Sequence, residues 1–229
     1  MVLLKGGTVV NPKTGLHSKK DILIDANKIV KIDDFIDVKQ EVQVIEANGH
    51  YVFPGFIDLH VHLREPGFES KETIYTGSRA CAKGGYTSVI CMPNTKPALH
   101  SAEVINHLQS IIEKDSVISI YPAGAITMDI AGEVLSNHDQ LFDSGVVALS
   151  DDGRTTMNIE YMKKAFAASR KWNRPIMTHS EDHEVTKSLK ESIFPTTAES
   201  DIVERDIALC KEMNGILHIS HVSTHKAIE

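Results

Sequence analysis

The sequence predicts an α/β protein, a (β/α)8 barrel of the TIM type with about six of its strands present, preceded by a small β-rich region. Two observations carry this. From Tyr51 onward, short apolar runs bounded by turn signals alternate with helix-length stretches, the pattern of a parallel sheet. Four of the six runs end in His or Asp, namely His60 and His62, Asp151 and Asp152, His179, and His221, and a fifth ends at Asn94. A barrel gathers the C-terminal ends of its strands at one mouth, where its chemistry sits. A doubly wound open sheet would concentrate chemistry at one switch point instead.

Residues 1–53 read as short strands and turns. Val2-Leu3-Leu4 and Thr8-Val9-Val10 flank Gly6-Gly7, and Asn11 to Gly15 is a turn. Asp21–Ile24 and Ile29–Ile32 form a hairpin pattern, and Val42–Ile45 adds a further strand. His17 and His50 are expected in surface turns. The barrel region, 54–229, follows, its first strand drawn from Tyr51 to His62 across Pro54-Gly55. A helix over Lys71–Ala82 is stopped by Gly84-Gly85. Strand Thr87–Met92 precedes helix Ala102–Glu113, and strand Val117–Tyr121 ends at Pro122. A short helix over Glu133–Ser144, strand Val146–Leu149 and helix Ile159–Lys171 come next. Strand Pro175–Thr178, helix Ala198–Met213 and strand Ile216–Ile219 complete the series.

The richest stretch is Ile57-Asp58-Leu59-His60-Val61-His62-Leu63-Arg64. Apolar and polar residues alternate, so Asp58, His60 and His62 share one face of a strand. Two imidazoles on one rigid strand can grip one metal ion. The bland reading is a half-buried strand with exposed histidines, but the flanking Asp58 and Arg64 favour metal. Asp58 is expected to orient a metal-binding histidine. His218 is read as packed, and His100, His107, His138, His183 and His225 as solvent-facing.

Composition excludes other classes. The net charge of −7 and the absence of basic runs longer than two residues argue against a nucleic-acid or anionic-membrane surface. No apolar stretch is long enough to span a bilayer, and Met1 to Lys5 breaks into Gly6-Gly7 without a signal-peptide pattern. The three scattered cysteines, Cys81, Cys91 and Cys210, read as reduced core residues of a cytoplasmic protein. There is no Gly-x-Gly-x-x-Gly and no P-loop.

Four histidines and one carboxylate from the Asp151-Asp152 pair exceed one tetrahedral zinc. They suit two cations sharing a carboxylate, which activate water and polarise a carbonyl or phosphoryl group. Arg64 and Asn94 at the same mouth could clamp a substrate carboxylate. Their bland readings are a surface ion pair with Glu65 or Glu69 for Arg64, and a turn residue for Asn94.

Asp58-Leu-His-Val-His-Leu-Arg-Glu-Pro-Gly67 resembles the signature of dihydroorotase, of the amidohydrolase superfamily. Lys71 to Gly77, Gly84-Gly-Tyr-Thr87 with Met92-Pro-Asn-Thr95, Ser150-Asp-Asp-Gly153 and His218 to Thr224 agree in order and placement. The resemblance implies that His60 and His62 hold the more buried zinc, that Asp152 bridges two zinc ions, and that His179 and His221 hold the second. It implies that Arg64 and Asn94 bind the substrate carboxylate. The implied reaction is the reversible cyclisation of N-carbamoyl-L-aspartate to L-dihydroorotate in pyrimidine biosynthesis. Hydantoinases and allantoinases place a carboxylated lysine where this chain has Asp151-Asp152. Residues 1–53 resemble the N-terminal part of the small β-sandwich that accompanies these barrels. A second copy of the chain, or aspartate transcarbamoylase, are the protein partners implied.

Three departures stand out. Ser180 follows His179 where the family often has cysteine, and the segment from His179 to His221 is short. The chain stops at Glu229 after six strands, so the expectation is of a C-terminally truncated dihydroorotase. The eighth strand, which supplies the family's catalytic aspartate, lies outside it.

Overall fold

The computed structural model describes residues 1–187 and 195–229; residues 188–194, within the short segment between His179 and His221, lie outside the described residues. The alternation from Tyr51 to His62 looks like one strand, yet the structure divides it between two sheets. Pro54 has no N–H to donate to a ladder, so pairing ends there. The chain forms two compact units, Met1–Gly55 and Phe56–Glu229.

The first unit is one mixed sheet of β1 (Val2–Asn11), β2 (Leu16–Asp25), β3 (Lys28–Asp33), β4 (Gln43–Glu46) and β5 (Tyr51–Val52). The order is β3-β2-β1-β4, with β5 also paired to β1. The two runs expected either side of Gly6-Gly7 are a single strand, bulged between Leu4 and Gly7. Gly6 adopts φ +71°, and its N–H donates to Oδ1 of buried Asp21 at 2.9 Å. Asp21 Oδ2 accepts from the Ile36 N–H at 3.0 Å, so this buried carboxylate is satisfied. His17 lies on β2 and not in a turn.

The second unit is a half-barrel of six parallel strands. They are β6 (Phe56–Val61), β7 (Tyr86–Cys91), β8 (Ser119–Ala125), β9 (Ala148–Ser150), β10 (Ile176–Thr178) and β11 (Leu217–Ile219), side by side in chain order. The helices are α1 (Ile74–Lys83), α2 (Ala102–Asp115), α3 (His138–Asp143), α4 (Ile159–Trp172), α5 (His183–Thr186), α6 (Thr197–Met213) and α7 (His225–Ile228). Side-chain caps fix several starts. Thr73 accepts from the Thr76 N–H, Ser101 from Val104, and Asn158 from Glu160 and Tyr161. This places α1 three residues later than the sequence suggests, and Asn137 likewise delays α3 to His138. Asn173 and Asn214, both left-handed, end α4 and α6.

The core lies between strands and helices, where Val89, Ile120, Leu149 and Ile176 meet Ile105, Leu108, Met162 and Phe166. Met92, Ala123, Ala148 and Met177 form a second cluster from alternate strand positions. Strand β8 continues through Pro122 and Gly124 to Ala125, beyond the expected stop at Tyr121. A Cβ on Gly124 would sit 3.0 Å from Leu141, so the small residue lets α3 pack close. Among the described residues strand β6 lies at the end of the strand order, beside β7, and there Ile57 and Leu59 are 64% and 44% exposed.

Candidate metal centre

The end of β6 is anchored on its apolar side. Leu63 is buried and lies over Gly77 of α1, where a Cβ would come within 2.6 Å of it. His60 and His62 therefore face the mouth from a fixed backbone. Gly67 adopts φ +97°, and a Cβ there would lie 2.0 Å from the Lys96 carbonyl oxygen. Only glycine lets the loop after β6 pack against the loop that carries Asn94.

The two aspartates after β9 part company. Asp151 accepts from the Thr127 N–H and hydroxyl at 3.0 and 2.7 Å and from the Thr156 hydroxyl at 2.8 Å. Burial pushes its pKa up against these bonds. Asp152 turns to the histidines. Its Oδ1 lies 3.2 Å from His60 Nε2, 3.7 Å from His179 Nδ1 and 3.5 Å from His221 Nε2, and its Oδ2 lies 3.5 Å from His62 Nε2. Burial opposes ionisation of Asp152, but the hydrogen bonds of His179 and His60 outweigh it. The carboxyl is held well below the usual range. One ligand atom each from His60, Asp152 and His221 lies within 4.8 Å of the others.

Neighbours set the rings. Asn94 Oδ1 is 3.0 Å from His62 Nδ1 and accepts its proton, which leaves the His62 Nε2 lone pair toward Asp152. The Asn94 amide donates to Asp152 Oδ2 at 3.4 Å. Burial lowers the His62 pKa, so its neutral, ligating form is favoured. His179 is raised by its hydrogen bond to Asp152 against burial, with Glu181 adding to it. His60 Nδ1 is buried with no hydrogen-bond partner among the described residues. Four imidazole nitrogens around one buried carboxylate form a donor set that fits divalent cations.

The structure thus brings together His60, His62, Asp152, His179, His221 and Asn94. Arg64 follows on the same loop at φ +65°, and its charge lowers the His62 pKa. Among the described residues Arg64 makes no ion pair; Glu65 and Glu69 instead accept from the backbone N–H groups of Ile74 and Gly67. A cavity of about 300 Å³ opens beside His179 and His221, bordered by Glu181, Thr196 and Glu199.

Four expectations need correction. His100 does not face solvent; its side chain is 13% exposed, with Nδ1 3.1 Å from Asp129 Oδ1. Asp58 Oδ1 accepts from the His60 backbone N–H at 3.0 Å and not from a ring, because the alternation that pairs them also shortens the path to the backbone. His138 is buried with Nε2 2.9 Å from the Ile126 carbonyl, since α3 starts at that residue and turns it inward. His183 is half-buried and joined to Glu181 at 3.4 Å, because it opens the short α5, which apolar periodicity does not reveal. Thr155, Glu181 and His183 are supporting residues missed from the sequence; the signal was the alternation His179-x-Glu181-x-His183.

The half-barrel carries His and Asp at its strand ends, as the resemblance to the amidohydrolase superfamily implies. The sequence profile described as Dihydro-orotase-like matches residues 49–227, and the chain belongs to that family. It is 42% identical, over 97% of its length, to a dihydroorotase of Pelotomaculum thermopropionicum, and 38% identical over its whole length to one of Caldicellulosiruptor saccharolyticus. It covers 54% and 56% of those two proteins, and so spans about half the length of the curated relatives it matches. Among solved structures, it resembles an L-hydantoinase (dihydropyrimidinase) from Arthrobacter aurescens with a TM-score of 0.86. That match is 19% identical and covers 99% of this chain and 54% of the other. It also resembles a dihydroorotase, with a TM-score of 0.60 at 15% identity, over 95% of this chain and 64% of the other. At such identities the structural likeness is one of fold. No helix among the described residues is long and apolar enough to cross a membrane.

Proposed function

We propose that this chain carries the metal-binding part of a dihydroorotase, acting reversibly between N-carbamoyl-L-aspartate and L-dihydroorotate. The observation that carries the reading is Asp152, one buried carboxylate with imidazole nitrogens of four histidines at 3.2–3.7 Å. His60 and His62 would hold one zinc ion, His179 and His221 the other, and Asp152 would bridge them. When bound, such a pair supplies a nucleophile at neutral pH and polarises the ring amide carbonyl.

The chain's own residues do the rest. Asp152 stays ionised, and Asn94 keeps the His62 ring proton away from the centre. Arg64, which makes no ion pair among the described residues, would supply its guanidinium for the substrate carboxylate. Asn94 contributes its amide from the same side, although that amide is shared with His62 and Asp152. The free thiols of Cys81, Cys91 and Cys210 support a reducing compartment, the cytoplasm.

The resemblance in fold to L-hydantoinase gives a second reading, a hydrolase of neutral cyclic amides. Arg64 favours the acidic substrate. The test is a panel of dihydroorotate, hydantoin, dihydropyrimidine and allantoin with zinc-loaded protein. Preferential opening of dihydroorotate supports the proposal, and preference for a neutral ring overturns it.

A further inference from the structure

Beside the proposed ligands, Thr155, Glu181, His183 and Thr186 form a chain of hydrogen bonds that ends on His179. The Thr155 N–H points at His183 Nε2 at 3.3 Å. A backbone N–H can only donate, so Nε2 is the accepting nitrogen and the His183 ring proton sits on Nδ1. Nδ1 lies 3.4 Å from Glu181 Oε1, which also accepts from the Thr186 hydroxyl at 2.6 Å. The other carboxylate oxygen, Oε2, is 3.1 Å from His179 Nε2. An ionised carboxylate can only accept, so His179 carries a proton on Nε2, and Nδ1, whose proton faces Asp152, is the nitrogen left to give a lone pair when a cation takes that proton's place. That is the nitrogen facing His221 Nε2 at 3.2 Å and Asp152 Oδ1 at 3.7 Å.

We propose that Glu181 is a positioning residue that fixes His179 with Nδ1 presented to the second metal position, itself held by the Thr155–His183 relay. This deepens the metal reading above and rests on it. Thr155 stands three residues after Asp152 and also grips the His179 loop directly. Its Oγ1 accepts from the Glu181 N–H at 2.9 Å and lies 2.6 Å from the carbonyl oxygens of His179 and Glu181. The spacing between Asp152 and His179 is thereby set by one residue. The ligand atoms of His179, Glu181 and His183 also lie within 4.8 Å of one another. A cation held by those three would take Glu181 from its three donors and cost His183 its bond to Thr155 or to Glu181. Orienting a ligand leaves every one of these bonds intact.

The test is titration of zinc, and separately of cobalt(II), into the metal-free full chain, as wild type, Glu181→Ala and Glu181→Gln. Wild type should bind two ions. Glu181→Ala should bind the second about 10–100-fold more weakly, the usual cost of losing an outer hydrogen-bond partner, and the first unchanged. Its cobalt absorption spectrum should change for one ion only. Glu181→Gln should fall between, because the amide oxygen still accepts from Nε2 but carries no charge. It decides the matter if the alanine variant fails to fold. Two ions bound with wild-type affinity by either variant, or equal weakening of both ions, overturns the proposal while leaving the metal reading intact. Loss of a third ion from the variant would make the cluster a site in its own right and also overturns it. A wild type that binds no metal overturns the metal reading itself.

Discussion

Under the proposed function, Arg64 is the residue on which substrate choice would turn. Arg64→Met keeps the stem of the side chain and removes the guanidinium. Losing a charged hydrogen-bond partner to a carboxylate costs about 1.5–3 kcal/mol, so KM for dihydroorotate should rise by roughly 10- to 150-fold while metal content is unchanged. Steady-state kinetics alongside metal analysis checks this, and an unchanged KM would return Arg64 to an ordinary surface role. At this scale much was legible. His60, His62, Asp152, His179 and His221 stand out as polar residues closing apolar runs. The separation of Asp151 from Asp152 by geometry was not legible, because it depends on Thr127 and Thr156, distant in sequence or hidden in a loop. The double use of Asn94 was hidden for the same reason.

At the scale of elements, caps and loop contacts decide where side chains point. His138 opens α3 and is buried, and burial holds its pKa below the ordinary value. The native state therefore favours the neutral ring. Its contribution to stability is complete above the unfolded value of about 6.5 and is lost as pH falls from there through the lower folded value. Wild type should lose stability from about pH 7 toward pH 5, and His138→Gln, which retains a donor for the Ile126 carbonyl, should lose less. Denaturant unfolding at several pH values measures it, and parallel curves would contradict it. Gly67→Ala should loosen the approach of the Arg64 and Asn94 loops, since its Cβ has no space beside Lys96. The expected result is lower thermal stability together with a higher KM. The strands and long helices were legible from periodicity. The division of the Tyr51–His62 run and the length of β8 were not, because alternation says nothing about which sheet a strand joins or how close a helix comes.

At the scale of the whole molecule, the parallel half-barrel explains why residues far apart in sequence share one carboxylate. Strands β6, β9, β10 and β11 end on the same side of one sheet. Among the described residues its outer strands, β6 and β11, each pair with a strand on one side, and Ile57 and Leu59 lie exposed on β6. Residues 1–229 expressed alone should therefore elute from a sizing column as a species larger than a monomer. A stable monomer would show that the edges are protected in another way. Four histidines and Asp152 are proposed to hold two divalent ions. Elemental analysis of protein purified without chelator tests it most directly, on wild type, His60→Ala and His179→Ala together. About two zinc ions per chain are expected in wild type, with at least one lost in each variant; full metal retention in both variants, or no metal in wild type, would rule out the two-ion centre.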